Sequence, residues 1–258
     1  LLGDPGMGKT TALQYLLSHY SENFKSYKTV PVYIALKYYI KENDWLAKQI
    51  NESLEGLEVK EVMRAYCVMI MLDGYNEVSN ENLEFLNSEI NDLLKYRNNA
   101  QLIITSRKAT YPEFYNFNTC EIEPLDDTRI KAYLAKNHGQ DRCEEVFNDI
   151  RHKGLLELTR IPLFLSFMSE LLQSPENQCF PRTKGELLER MIKIKYMQRP
   201  EDKLPKYKVP DDLIISLLSK FCYNSVVDNC GIAFEGKKLR DFIANKREWI
   251  RNTYGEYS

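Results

Sequence analysis

The sequence contains few of the residues that form metal centres. It has only three histidines in 258 residues, and its six cysteines include no C-x-x-C pair. Common zinc-binding modules need clustered cysteine and histidine ligands, so these spacings exclude them. Scattered cysteines of this kind are typical of reduced thiols, and we therefore expect a cytoplasmic protein.

Long apolar runs and a strong charge of either sign are also missing. The longest apolar stretch, residues 161–172, is interrupted by Ser166, Ser169 and Glu170 and is too short to span a bilayer. The formal net charge is −2, and a short basic patch at residues 237–240 is more typical of a solvent or interdomain face than of a DNA contact. We therefore predict neither a membrane nor a nucleic-acid partner.

The strongest signal that is present lies in the first eleven residues, LLGDPGMGKTT, which contain the phosphate-loop pattern G-x-x-x-x-G-K-[ST]. Its glycines, at positions 3, 6 and 8, let successive backbone N–H groups converge on phosphate oxygens. Lys9 then reaches the β- and γ-phosphates, Thr10 coordinates Mg²⁺, and the following helix directs its positive end at the anion. The pattern predicts a nucleoside triphosphate and Mg²⁺ as cofactors. The predicted binding residues are Gly3, Asp4, Pro5, Gly6, Met7, Gly8, Lys9, Thr10 and Thr11.

The residues before the loop are unusually few. A phosphate loop normally follows a buried strand of about five residues. Only Leu1 and Leu2 of such a strand are present, and the sequence does not begin with Met. We therefore expect further sequence upstream.

Apolar runs and helical periodicity alternate through the first half of the chain. This alternation predicts an α/β fold, with a parallel sheet flanked by helices and ligands at the carboxyl ends of its strands. The predicted strands are residues 29–36, 67–72, 101–107 and 119–125, and the predicted helices are residues 9–22, a pair at 43–65, and 80–97. Tyr33, Tyr38 and Tyr39 are predicted to be core residues.

Beyond residue 125 the pattern is mainly helical. Most of the prolines lie in two loops, residues 174–182 and 199–210, and the second loop predicts a boundary between smaller subdomains. The predicted helices are residues 126–138, 141–152, 154–173, 183–198 and 211–227, with a short β-like piece at 231–234.

Acidic residues after the second predicted strand supply candidate catalytic groups. Asp73 ends an apolar run, where an unpaired carboxylate is costly, so we predict that it anchors Mg²⁺ with Thr10. Asp-Gly is also a common turn, which leaves a structural role open. Glu77 is the candidate for polarising an attacking water, with Asn76 able to orient it. A surface position at the start of the next helix is the alternative for both.

Arg107 ends the third predicted strand. At that edge of the sheet, its planar and permanent charge suits contact with a terminal phosphate. We therefore predict that Arg107 senses the γ-phosphate. The alternative is a surface arginine paired with a neighbouring acid.

Four segments together resemble the NACHT family of signal-transducing NTPases: residues 3–11, 71–78, 103–107 and 160–165. The resemblance implies an ATP/ADP switch with slow hydrolysis that controls oligomerisation in innate immunity or antiphage defence. It also implies an upstream effector and a downstream sensor in the same full-length chain. Pro162 would pack near the adenine, although a proline that simply starts a helix is the alternative. The implied domains are a P-loop nucleotide-binding domain at 1–125, a helical subdomain at 126–205 and a truncated winged-helix-like subdomain at 206–258.

Two positions depart from the family pattern. Asn76 stands where a second aspartate is usual, and Lys108 stands where a proline often follows the arginine. An AAA+ motor remains an alternative, but it normally has a glutamate directly after the aspartate, where this chain has Gly74. A scaffold that binds nucleotide without hydrolysing it is a further alternative, which Asn76 favours.

Overall fold

The computed structural model describes residues 1–95, 99–110, 117–173, 181–197, 211–227 and 236–254. The chain divides into two compact units, Leu1–Met191 and Ile192–Ser258. Among the described residues, none of the helices combines the length and apolar character needed to cross a membrane.

A parallel sheet organises the first unit, as the alternating pattern predicts. Its strands are β1 (Thr29–Ala35), β2 (Cys67–Asp73) and β3 (Ala100–Ile104), in the order β1-β2-β3. Beyond β3, Leu2 forms single parallel bridges with Ser106 on one side and Glu121 on the other. The residues that lead into the phosphate loop therefore extend the sheet past β3, and the α/β fold class is confirmed.

Two predicted strands are shorter than expected. The run at 119–125 forms only the bridge at Glu121, because its partner along this edge is the short segment of Leu1 and Leu2. The third strand ends at Ile104 rather than Arg107. From Thr105 onward the backbone bonds to more than one segment, since the Thr105 N–H donates to Leu72 and the Ser106 N–H donates to Leu1. These contacts replace a continuous ladder with β2.

Helices cover both faces of the sheet, because side chains on a strand alternate between its faces. On one face Met69 and Met71 of β2 pack against Leu13 of α1 (Lys9–Glu22), which a short helix, α2 (Phe24–Tyr27), follows. The other face, with Ile70 and Leu72, packs against three helices. These are α3 (Trp45–Ser53), α4 (Val59–Ala65) and α5 (Asn80–Leu94).

The rest of the first unit is helical. The helix predicted at 154–173 is broken at Arg160 and Ile161. Pro162 lacks an N–H and clashes with a preceding helical turn, but it is well suited to the first position of a new helix. The helices are α6 (Asp127–His138), α7 (Gln140–His152), α8 (Leu156–Thr159), α9 (Pro162–Gln173) and α10 (Lys184–Met197), the last of which crosses the unit boundary.

The second unit contains α11 (Asp211–Val227), α12 (Gly236–Asn245) and α13 (Arg247–Tyr254). Leu213 and Leu217 of α11 form a small core with Ile250 of α13. The β-like piece predicted at 231–234 lies outside the described residues. The winged-helix interpretation and the domain bounds 1–125, 126–205 and 206–258 stay predictions.

We expect Leu13→Ala to lower the free energy of unfolding by about 2–5 kcal/mol, because it leaves a cavity between α1 and the sheet. Leu13 has no exposed surface, whereas the adjacent Gln14 is exposed. Gln14→Ala is therefore the matched control, expected to change stability by less than about 0.5 kcal/mol. Urea unfolding followed by circular dichroism tests both, and equal effects would contradict the packing described.

Candidate nucleotide-binding cleft

The phosphate loop turns sharply into α1 at two glycines. Gly6 has φ of 81° and Gly8 has φ of 89°, values that residues with a side chain rarely adopt. Gly8 directly precedes the helix, so the unpaired N–H groups of the first turn of α1 lie at the loop. This combination of a tight loop and a helix N-terminus suits an anion.

Gly3 differs from the other two glycines of the motif. Its φ is not in the left-handed region, so the expectation that all three glycines serve backbone conformation is wrong for this one. A Cβ at Gly3 would instead lie 3.4 Å from Cβ of Met7 and 3.6 Å from Cβ of Ile122. These are ordinary van der Waals distances, so neither backbone conformation nor packing requires a glycine at this position.

Lys9 lies against the loop that precedes it. Its Nζ donates to the carbonyl oxygens of Gly3 at 2.6 Å and Asp4 at 3.1 Å. Burial lowers the pKa of Lys9, and the positive charge of Arg107 lowers it further. An anion between these two cations would relieve their repulsion.

Asp73 accepts hydrogen bonds from three hydroxyl groups. Thr10 of α1 donates to Oδ2 at 2.7 Å, and Tyr33 of β1 donates to the same oxygen at 2.9 Å. Thr105, just after β3, donates to Oδ1 at 2.5 Å. These donors compensate the cost of placing a half-buried carboxylate at the end of β2.

The segment after Asp73 brings two more predicted residues to the same place. Gly74 has φ of 84°, and a Cβ there would lie 3.1 Å from Cδ of Glu77, so the absence of a side chain lets the Glu77 carboxyl group fold back beside the strand end. Oδ1 of Asn76 accepts a hydrogen bond from the backbone N–H of Arg107 at 3.1 Å. The predicted water-orienting amide therefore fixes the backbone of the predicted γ-phosphate sensor.

Helix α9 contacts the phosphate loop directly. The backbone N–H of Leu163 donates to the carbonyl oxygen of Gly6 at 3.1 Å. A Cβ on Gly6 would lie 2.9 Å from Cβ of Leu163 and 3.1 Å from Cγ2 of Ile161. The helical part of the first unit is thereby packed against the loop through its backbone as well as its side chains.

These groups line one cleft of about 550 Å³. Of the predicted residues, those in its lining are Pro5, Gly6, Gly8, Lys9, Thr10, Thr11, Asp73, Asn76, Glu77, Arg107 and Pro162. Gly3, Asp4 and Met7 are not in the lining, and the Met7 side chain is buried beneath the loop. The structure therefore brings together four segments that are far apart in sequence.

Several residues at this cleft were not predicted from the sequence. Tyr133 of α6 and Ser166 of α9 line it, as does Thr105.

Tyr38 is 67% exposed, so its predicted core position is wrong, whereas Tyr39 is buried as expected. Tyr33 is only half-buried, and burial together with its bond to Asp73 raises its pKa to about 12. The alternation of side chains along β1 and β2 could have indicated that Tyr33 shares a face of the sheet with Asp73. No comparable local pattern indicates that Tyr133 reaches the cleft.

The donor set fits the predicted cofactors. A hydroxyl and a carboxylate that already meet, those of Thr10 and Asp73, are hard oxygen ligands of the kind that Mg²⁺ prefers. Within the described part of the chain, no cluster of at least three histidine, cysteine or acidic residues could hold a metal by itself. A magnesium ion here would therefore depend on phosphate oxygens and water for its other ligands.

Comparison with known proteins found similar chains among solved structures. No protein-family model and no curated protein matches the sequence. Among solved structures, the chain is similar to AMPPCP-bound DnaA from Aquifex aeolicus, at 18% identity and a TM-score of 0.43 over 97% of this chain and 81% of that one. It is similar to Aeropyrum pernix ORC1 in complex with DNA, at 13% identity and a TM-score of 0.44 over 96% of this chain and 76% of that one. It is also similar to Drosophila ORC bound to DNA, at 12% identity and a TM-score of 0.42 over 96% of this chain and 79% of that one.

Similarity at this level carries no argument about what the chain binds. All three TM-scores lie below 0.5. The resemblance to the NACHT family and the expected absence of a nucleic-acid partner therefore stay predictions from the sequence.

We expect Gly6→Ala to be more destabilising than Gly56→Ala. Both glycines have positive φ, 81° and 85°, which costs a residue with a Cβ about 1–2 kcal/mol. Only at Gly6 does the added Cβ also collide with α9, at 2.9 Å from Leu163, whereas nothing lies within 4 Å at Gly56. Overpacking should add at least about 1 kcal/mol at position 6. Chemical denaturation measures both variants, and an equal loss would refute the contact.

Proposed function

We propose that this cleft binds ATP and ADP with Mg²⁺ and that the chain is the nucleotide-binding module of a slow ATPase. The observation that carries the proposal is the convergence of Lys9 and Thr10, Asp73, and Arg107, from three segments, on one cleft beside a loop with the phosphate-binding pattern. Two cations, a helix N-terminus and an oxygen donor pair form a site that complements a magnesium polyphosphate.

Each side chain has a distinct proposed role. Lys9 and Arg107 contact the β- and γ-phosphates, and Thr10 and Asp73 hold Mg²⁺, which when bound neutralises phosphate charge. Glu77, exposed beside the end of β2, accepts the proton of the attacking water. Pro162 and Tyr133, which line the other wall of the cleft, contact the base and ribose.

Slow turnover is supported by two features of the strand end. Gly74 occupies the position directly after Asp73 and has no side chain that could act as a base. The proposed base, Glu77, lies three residues after Gly74, in a short 3₁₀ turn. Asn76 cannot act as a base, and its side-chain oxygen is already bonded to the Arg107 backbone. These features favour a switch over a motor that hydrolyses ATP continuously.

The resemblance to the NACHT family supports the wider role. We propose that exchange of ADP for ATP controls oligomerisation and signalling, in innate immunity or antiphage defence. The contact between Gly6 and Leu163 provides a physical link for such a switch, because a change in loop conformation on nucleotide exchange alters the packing of α9. A non-hydrolysing scaffold would bind both nucleotides and release no phosphate, so steady-state turnover distinguishes it from a slow ATPase.

The test of nucleotide binding is Lys9→Ala. We expect ATP affinity to fall about 100-fold or more, equivalent to about 3 kcal/mol, because a charge-assisted contact with phosphate is lost. Lys25→Ala removes an exposed lysine of α2 with the same net charge change and should leave affinity unchanged. Isothermal titration calorimetry measures both, and unchanged binding by a folded Lys9→Ala protein would refute the site.

The test of γ-phosphate sensing is Arg107→Ala. We expect ATP binding to weaken by about 1.5–3 kcal/mol and ADP binding to stay nearly unchanged, because the diphosphate has no terminal group for this side chain to contact. Lys108→Ala is the control, since Lys108 is the adjacent cation but pairs with Glu121. Titration of both nucleotides into each variant gives the answer. Equal losses for ATP and ADP would instead assign Arg107 a structural role.

A further inference from the structure

The hydroxyl of Tyr33 makes the least expected contact to a residue that lines the cleft. It donates to Oδ2 of Asp73 at 2.9 Å, although the two residues are 40 positions apart. The Tyr33 side chain belongs to neither the phosphate loop nor the strand end that carries the acid. The hydroxyl therefore reaches the cleft through Asp73.

The direction of each hydrogen bond around Asp73 can be assigned from its partners. The backbone N–H of Gly74 donates to Oγ1 of Thr105 at 2.8 Å, so the single hydroxyl proton of Thr105 is directed to Oδ1 of Asp73. Oδ2 receives the protons of both Thr10 and Tyr33. A carboxylate offers about four lone-pair sites, and three are used in this arrangement.

Thr10 is the donor whose bond to Asp73 a magnesium ion would change. A hydroxyl that ligates a cation turns an oxygen lone pair to the metal and keeps its proton, so the metal as well as Oδ2 would then set the position of Thr10. Tyr33 and Thr105 would be the two donors that hold the Asp73 carboxylate independently of the metal, one on each oxygen.

Packing holds the Tyr33 ring where this role requires it. Tyr33 is opposite Met71 in the β1–β2 register, and Ala35 is opposite Asp73, so Tyr33 and Asp73 are diagonal neighbours on one face of the sheet. On that face the ring packs against the cluster of Leu13, Met69 and Met71. The hydroxyl is therefore presented from a rigid strand, and its removal leaves the ring contacts in place.

We propose that Tyr33 is a positioning residue for the magnesium site, holding Oδ2 of Asp73 while Thr10 binds the metal. The inference rests on the proposed function. It predicts a role that is specific to the metal, because among the described residues the Tyr33 hydroxyl bonds to Asp73 and not to the phosphate loop. Loss of the hydroxyl should therefore weaken nucleotide binding only when Mg²⁺ is present.

The experiment is calorimetric titration of ATP into Tyr33→Phe, once with Mg²⁺ and once with EDTA. We expect affinity to fall about tenfold with Mg²⁺, the lower end of the loss when a hydrogen-bond partner of a metal ligand is removed, and to stay unchanged in EDTA. Circular dichroism melts establish that the variant is folded. Equal losses in both conditions, or no loss in either, would overturn the inference.

Tyr39→Phe is the matched control. Tyr39 also donates to a carboxylate, Oε1 of Glu89 at 3.0 Å, and burial together with this bond raises its pKa as well. Its partner lies on α5, outside the lining of the cleft. Tyr39→Phe should therefore leave the Mg²⁺-dependent gain in ATP affinity as in the wild type, and a tenfold loss here would overturn the inference by showing a general effect of lost hydroxyls.

A double-mutant cycle tests the route through Asp73. In an Asp73→Asn background, Tyr33→Phe should produce no further loss of Mg²⁺-dependent affinity, because both changes act on one interaction. Additive losses would overturn the inference while leaving nucleotide binding intact. A wild-type protein that binds no ATP in either condition would instead overturn the proposed function, and the inference with it.

Discussion

The Asp73 carboxylate is the interaction on which the cleft depends. It lies at the carboxyl end of β2, and its three hydroxyl donors come from α1, from β1 and from the residue after β3. A half-buried carboxylate without donors would be costly, so the arrangement of these elements is stabilised together with the charge. The same bonds bring Thr10 and Asp73 close enough to share a cation.

A second constraint ties the helical region to the loop. Gly6 combines a left-handed conformation with close approach to Leu163, so both the shape of the loop and the position of α9 are fixed at one residue. A ligand that changes the conformation of the loop at Gly6 would therefore change its contact with α9 directly. This is the type of contact through which differential binding of two nucleotides can shift a conformational equilibrium.

The few residues that follow β2 have several structural roles. Gly74 provides a turn and leaves space for the Glu77 carboxyl group. The side-chain oxygen of Asn76 accepts a hydrogen bond from the backbone N–H of Arg107. The departure from a second acid at position 76 therefore has a structural consequence as well as a chemical one. It fixes the backbone of Arg107 and leaves position 76 without an acid, as the slow hydrolysis that we propose would require.

The sequence by itself determined the features that depend on neighbouring residues. The phosphate loop, the start of α1 at Lys9 and the three strands follow from short-range conformational preferences and from alternation, whereas the break before Pro162 was not predicted. The alternation also predicted that strand-end residues such as Asp73 and Arg107 meet at one edge of the sheet. A short edge run such as 119–125 was overestimated, because pairing depends on the length of a partner that local pattern does not reveal.

Only the tertiary structure decided the contacts across elements. The bond that Tyr33 donates to Asp73 depends on strand register. The bond that the Arg107 N–H donates to Asn76 depends on a turn after one strand meeting the end of another. The place of Tyr133 in the cleft depends on how α6 packs. Such contacts join residues tens of positions apart, and their geometry is set by the packing of whole elements rather than by the preferences of any one segment.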